Sequence, residues 1–261
     1  MKSLNIAATG MAAQQTRVDV ISNNIANMNT ASYRPRVAEF SDLAYQQILT
    51  PGTVTSQTGT IVPAGIQVGT GVRPSTVSVS VMQGALRATG GELDIAIDGP
   101  GFLEVTLPTG ESVFTRDGKL SRSPEGEVVT MDGFPLTDRI VIPFEAERIS
   151  IGRDGEVVAY FSDQPEGQPI GTISLMRFVN EKGLEAVGDN LYRQTQASGQ
   201  PNQLVPGTQG VGNLRQGFLE ESGVDVVKEI SDLIEAQRGY ELNSRVVTAS
   251  DEMLAATVQL R

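Results

Sequence analysis

Cysteine, histidine and tryptophan are all absent from the 261 residues, and each absence closes off chemistry. Without thiolate or imidazole there is no Cys/His zinc site, no Cys or Ser-His nucleophile and no disulfide framework. Aromatic residues are few, eight Phe and five Tyr, while Gly is frequent at 28. That balance favours many turns and short strands over a bulky helical core. Positive charge is also short: 20 basic residues stand against 31 acidic ones, for a net charge of -11. The basic residues are scattered, so no cationic groove follows a phosphate backbone or an anionic lipid surface. Nucleic acid is therefore excluded as an expected partner. Long apolar runs are missing too. No stretch approaches the roughly 18 residues of a membrane-spanning helix, and Met1–Gly10 has no apolar run of secretory-signal length. The expectation is no direct membrane insertion, and any export by a route that leaves no cleaved signal.

What glycine and acid there is does not assemble into a site. Gly69-Thr70-Gly71 and Gly99-Pro100-Gly101 lack the third glycine or the Gly-Lys-Ser/Thr ending of phosphate loops and read as turns. Asp94 and Asp98-Gly99 begin like a calcium loop, but Ala96 occupies a ligand position and no closing Glu follows at the required spacing. Glu104, Glu111, Asp117 and Glu127 could serve a sugar-cleaving enzyme, but nothing pairs them and there is no Trp platform for a sugar ring. The expectation is no cofactor, no metal and no enzyme activity.

A length of 261 residues suits one or two domains at about 100 to 200 residues each. From residue 3 to about 28, Leu4, Met11, Val18 and Ile25 recur at seven-residue spacing, with Ala7, Gln14, Ile21 and Met28 three residues behind them. This is a coiled-coil-like stripe on a helix roughly 37 Å long, which Pro35 is expected to stop. The C-terminal region repeats the device with Val226, Leu233, Tyr240, Val247 and Leu254, widened by Ile230, Ile234 and Val258. Ser222 with Asp225 reads as a capping box at its start. Lys228 with Asp232, and Glu241 with Arg245, stand at i,i+4 and read as a solvated face. Either stripe could pack on the protein's own core. Their position at both ends of the chain, their narrowness and their polar members Gln14, Gln237 and Ser244 favour association with each other and with further copies.

Between about 76 and 220 the period changes to two. Val77, Val79 and Val81 alternate with serines, and β-prone runs follow at 102–107, 140–142, 157–161 and 173–178. Four Asp-Gly pairs, at 98–99, 117–118, 132–133 and 154–155, read as hairpin turns. Residues 43–72 carry no charge and contain Pro51 and Pro63. They are either a flexible linker or a segment buried between subunits, since an exposed uncharged β-prone edge invites pairing. The expected fold is α+β. Its parts are a discontinuous coiled-coil-like domain from residues 1–30 and 224–261, an extended connector over 31–75, and an antiparallel β-rich outer domain over 76–223.

The run Gly10-Met11, Gln14 or Gln15, Asp19-Val20-Ile21-Ser22-Asn23-Asn24-Ile25-Ala26-Asn27, Asn29-Thr30 and Tyr33 closely resembles the opening signature of flagellar rod and hook proteins. Leu233-Ile234, Gln237-Arg238, Tyr240-Glu241, Asn243-Ser244, Thr248, Asp251 and Met253-Leu254 resemble the same family's closing signature. Leu93 to Phe102, and Phe114 to Thr130, resemble its β-domain motifs. The length and the stretch Pro63–Pro74 are closer to distal-rod members than to proximal-rod or hook members, which stand as the alternative. A secreted coiled-coil/β adhesin is a more distant one.

The resemblance implies a self-assembling helical tube in the basal body. Such a tube crosses the periplasm, transmits torque and passes exported flagellar proteins along its bore. Its implied partners are copies of itself, proximal rod proteins, the hook protein, the periplasmic and outer-membrane ring proteins, the rod cap and the export apparatus. Inner-helix contacts then fall to Leu4, Met11, Val18, Ile21, Asn23, Asn24, Ile25, Asn27, Val226, Ile230, Leu233, Gln237, Tyr240, Val247 and Leu254. Connector contacts fall to Tyr45, Pro51, Pro63, Ile66 and Val68. Asn23, Asn24 and Asn27 are poor helix formers, expected either to hydrogen-bond across subunits or to face a hydrated bore. The chain departs from the family pattern at Ser32, in place of glycine, and at Gly239, in place of alanine. Serine argues against a left-handed backbone at 32, and glycine at 239 argues for close packing.

Overall fold

The first proline is Pro35, yet the first helix stops well before it. A computed structural model describes residues 2–50, 65–162, 164–208 and 210–259. In it α1 runs from Lys2 to Ala26. Turn-forming residues end it: Thr30 N–H donates to the Asn27 carbonyl at 3.2 Å, and Thr30 Oγ1 to Asn27 Oδ1 at 3.2 Å. Local competition for the backbone therefore acts ahead of the proline. The chain divides into two compact units, one of Met1–Ala26, Arg36–Val79 and Asp225–Arg261, the other of Asn27–Pro35 and Ser80–Val224.

The first unit is built on two helices and a ribbon. Strand β1 (Arg36–Asp42), then β2 (Gln46–Leu49), β3 (Ile66–Val68) and β4 (Val72–Val79) fold back as antiparallel pairs, β1 with β4 and β2 with β3. Among its described residues the stretch expected as an extended connector thus forms a doubled ribbon, and β4 carries the Val77 and Val79 alternation assigned to the β domain. The pairing was hard to read because β1 is punctuated by Arg36, Glu39 and Asp42. Its register shifts between Glu39 and Phe40, where Pro74 stands opposite Phe40. A bulge accommodates the residue that cannot donate to the ladder. The ribbon is tied to α1 through Val72 N–H, which donates to Thr9 Oγ1 at 3.3 Å.

The second helix, α2, spans Val226–Gln259. Its cap is Asp225 alone, whose Oδ1 accepts from Val227 N–H at 3.1 Å and Lys228 N–H at 3.2 Å. Ser222 therefore does not form the expected capping box with it.

The second unit is antiparallel throughout. Leu103–Thr106, Ser112–Thr115, Leu191–Arg193 and Glu185–Gly188 form a four-stranded sheet, and Ala146–Ile151, Glu156–Phe161 and Gln164–Thr172 a three-stranded one. Shorter pairs complete it, among them Ile95–Asp98 with Asn213–Gln216. The apolar positions of these short strands converge on one core containing Ile95, Ile97, Val105, Val113, Ile140 and Leu175. A second cluster gathers Phe102, Phe114, Phe178 and Tyr192, with rings edge to face at 4.8 to 5.8 Å. Asp154-Gly155 and Asp132-Gly133 turn hairpins as expected: Gly155 N–H donates to the Gly152 carbonyl and Gly133 N–H to that of Thr130. Asp117-Gly118 does not. Gly118 sits under Ile95, whose N–H donates to the Gly118 carbonyl at 2.9 Å, and a side chain there would collide with the Ile95 carbonyl.

Candidate subunit interface

Small and polar residues meet in the seam between α1 and α2. Ser250 Oγ meets Ser3 Oγ at 3.2 Å, Asn243 lies against Gly10 and Gln14 against Gly239, and Arg17 bonds Asp232 at 3.0 Å and Glu235 at 3.1 Å. Asn24 Nδ2 donates to Glu229 Oε1 at 3.1 Å. As α1 ascends, its partners on α2 descend, so the helices are antiparallel. Ala236 is fully buried between these contacts. Close approach explains the glycine at 239: a Cβ there would lie 3.1 Å from Gln14 Cδ. The neighbour is a side chain of the same chain, and the same holds at Gly10, where a Cβ would come within 2.9 Å of Asn243 Nδ2. Asp232 answers Arg17 on the other helix, so the i,i+4 reading with Lys228 misses its partner.

Gln14 brings the second heptad row of α1 into this seam, whereas the first row of each helix reaches an open cleft. Val18 and Tyr240 line an open cleft of about 420 Å³ with Gln15, Gln237 and Glu241. Seven-residue spacing places Leu4, Met11 and Ile25 in the row of Val18, and Val226, Leu233, Val247 and Leu254 in the row of Tyr240. Leu4, Met11, Val18, Ile25, Val226, Leu233 and Val247 are half-buried, whereas Gln237 and Leu254 are exposed. Tyr240 is 45% exposed, Ile230 46% and Ile234 47%. Ile21 is buried, and Met28 falls outside α1 and is exposed.

The asparagines separate. Asn24 is buried and committed within its own chain: Nδ2 also donates to the Arg36 carbonyl at 2.9 Å, and Oδ1 accepts from Arg36 N–H at 2.9 Å. Its amide imitates a strand edge and fixes the start of β1 on α1. Within the chain both of its donors and its acceptor therefore have partners. Asn27 Oδ1 serves the turn after α1, and Asn23 is exposed. Burial pushes the Glu229 carboxyl above its ordinary range, against the pull of the Asn24 amide. In the ribbon, Tyr45 and Ile66 are exposed and Val68 half-buried, while Pro51 and Pro63 lie outside the described residues.

In the other unit the most buried ionic group is one that sequence reasoning missed. All five N–H donors of Arg116 find acceptors: Nε and Nη2 reach Glu220 Oε2 at 3.0 and 2.7 Å, Nη1 reaches the Gly99 and Gly101 carbonyls at 3.0 and 2.8 Å, and Nη2 also reaches that of Ile97 at 3.3 Å. Burial pulls the guanidinium below its ordinary value, and the Glu220 charge opposes this. Ser32 joins the cluster from the chain after α1. Its backbone is left-handed, φ 56, despite the missing glycine. Ser32 N–H donates to the Glu220 carbonyl at 2.9 Å and its Oγ to the Arg116 carbonyl at 3.0 Å. Of the candidate carboxylates, Glu111 is held by Arg193 at 2.6 Å. Burial raises Asp117, whose Oδ1 accepts from Lys119 N–H. No group of side chains suited to a metal ion occurs among the described residues, and no helix among them is long and apolar enough to cross a membrane.

Comparison with known proteins bears on the same elements. Residues 4–34 match a model of the flagella basal body rod protein, 96–159 the D1 domain of the flagellar hook protein FlgE/F/G, and 215–260 the C-terminal region of flagellar basal body rod FlgEFG proteins. The flagellar basal-body rod protein FlgG of Caulobacter vibrioides is 48% identical over the whole of both chains. That of Buchnera aphidicola from Schizaphis graminum is 44% identical over 99% of each. Among solved structures, the Helicobacter pylori hook protein FlgE2 is 15% identical over 71% of this chain and 43% of its own, with a TM-score of 0.24.

Proposed function

The chain belongs to the FlgG family of flagellar basal-body rod proteins, and from that premise we propose that it polymerises into the distal rod through the open groove of its helix pair. It is a structural subunit of the flagellar basal body. In this reading repeated copies meet by one contact whose rotation and rise do not close, which generates an open helical tube. The tube transmits torque across the periplasm and leaves a bore for exported flagellar proteins. Its ends meet proximal rod proteins and the hook, its side the surrounding ring proteins, and its assembly involves the rod cap and export apparatus. No catalysis is part of the role.

One observation carries the reading: Val18 and Tyr240, one from each apolar heptad row, line an open cleft, with Tyr240 45% exposed, while small and polar residues meet in the seam between the helices. A helix pair that stood alone would turn its apolar rows inward. Rows left beside the seam await a third helix. Sedimentation and electron microscopy of the full-length chain, beside a Val18→Asp/Tyr240→Asp variant, test this. Tubes or large oligomers are expected from the parent and monomers of unchanged β content from the variant. Tubes from both would refute the groove as the polymerising surface.

A further inference from the structure

In the β-rich unit, a cleft of about 510 Å³ is lined by charged and apolar residues including Arg34, Gln83, Arg177, Val179, Glu181 and Lys182. Arg34 is its buried member, its side chain only 5% exposed. Its Nη1 donates to Glu181 at 2.6 Å, and its guanidinium lies 5.1 Å from the centroid of the Phe102 ring. Its Nε is buried and has no hydrogen-bond partner among the described residues. Glu181 is the one carboxylate in the lining and is already bonded to Arg34. Gln83 is spent as well, with Nε2 donating to the Ile97 carbonyl at 2.6 Å and Oε1 accepting from Gly99 N–H at 3.0 Å. The cleft therefore carries positive charge in excess, on a chain whose net charge is -11. Its border is apolar and uncovered: Val179 is 86% exposed, Val81 50% and the adjacent Met82 74%.

We propose that this cleft receives an acidic side chain, flanked by apolar residues, from a second copy of this chain. The inference rests on the self-assembly reading and names a contact that reading does not contain. An unpartnered buried N–H calls for an acceptor, and the excess of cations selects a charged one, which makes shorter and stronger hydrogen bonds. A second copy offers 31 acidic residues to choose from, and its apolar flank would cover Val81, Met82 and Val179. Charge complementarity of this kind fixes register between partners and speeds their encounter.

The test uses the full-length chain with Lys182→Glu, an exposed position, beside Lys119→Glu as an exposed control elsewhere on the same unit. Assembly is followed by light scattering over a range of protein and salt concentrations, with circular dichroism to check the fold. Lys182→Glu is expected to raise the concentration needed for assembly by about tenfold or more and to flatten its salt dependence, while Lys119→Glu follows the parent. A Lys182→Glu chain that assembles like the parent overturns the cleft proposal and leaves polymerisation standing. A parent that stays monomeric at every concentration overturns the assembly reading and this contact with it.

A photocrosslinker in place of Val179 supplies an independent readout. Adducts with an Asp- or Glu-bearing peptide of a second copy are expected. Adducts confined to the same chain, or to peptides without acid, would overturn the proposal.

Discussion

Arg116 carries its charge into a site with almost no water, and it survives there because every N–H it owns is met by an acceptor. Removing it strands Glu220 Oε2 and the Gly99 and Gly101 carbonyls together. Arg116→Ala is therefore expected to cost the β-rich unit about 3 to 5 kcal/mol in urea unfolding. Arg116→Lys should recover little, because one ammonium cannot reproduce the guanidinium fork. Ser32 is balanced differently. Its left-handed backbone costs about 1 to 2 kcal/mol for a residue with a Cβ, and its hydroxyl bond to the Arg116 carbonyl returns about 1 kcal/mol. Ser32→Gly should thus be close to neutral, while Ser32→Ala, which keeps the strain and loses the bond, should be the more destabilising. If the two substitutions rank the other way in thermal melts, the hydroxyl bond is not what holds serine in this conformation.

Glu229 sits where α1, β1 and α2 meet, and its behaviour with pH follows from its direction of shift. Burial raises its folded value above that of the unfolded chain, so the folded state binds this proton more tightly. The contribution of this group to stability is unfavourable above the raised value and is relieved as pH falls through it towards the ordinary carboxylate range. Glu229→Gln keeps an acceptor for Asn24 and cannot titrate. Subtracting its melting temperatures from those of the parent, pH by pH, should leave a difference that shrinks on acidification through that window. A difference that grows instead would contradict the shift.

At the scale of elements, the helix pair and the ribbon show what the sequence could and could not disclose. Both heptads were readable because a seven-residue period survives any change of partner. The seam was readable only at Gln14 and Gly239, because Gly10, Ala236 and Asn243 carry little apolar signal and act by permitting close approach. Asn24 shows the same limit: an asparagine inside a helix advertises an unusual partner without naming it, and within the chain that partner is Arg36. A seam of this composition buries little apolar surface, and helices with so little support are marginal in water. Far-ultraviolet circular dichroism should then show helix content rising as the full-length chain assembles. Equal helix content before and after assembly would mean that the pair is already stable alone.

At the scale of the molecule, the family signature proves to be two devices joined end to end. Residues through Ala26 build α1, whereas Asn27–Pro35 belong with the β-rich unit. There they are fastened by Ser32 to Arg116 and Glu220, by the Ala31 carbonyl to Asn190 at 2.9 Å, and by Arg34 to Glu181. The sequence boundary at residue 76 could not show this, because the segment lies far in sequence from everything it touches. A fragment of residues 27–224 should consequently fold and melt cooperatively as a monomer. A fragment starting at 36 loses Ser32 and Arg34, leaving Glu181 and the Glu220 carbonyl without their partners. The lost bond between Arg34 and Glu181 is worth about 1.5 to 3 kcal/mol and the neutral bond from Ser32 to the Glu220 carbonyl about 1 kcal/mol, and the shorter fragment should melt well below the longer one. Indistinguishable melting would mean that the segment after α1 only rests on the β-rich unit, and that the second half of the signature acts elsewhere in the assembled rod.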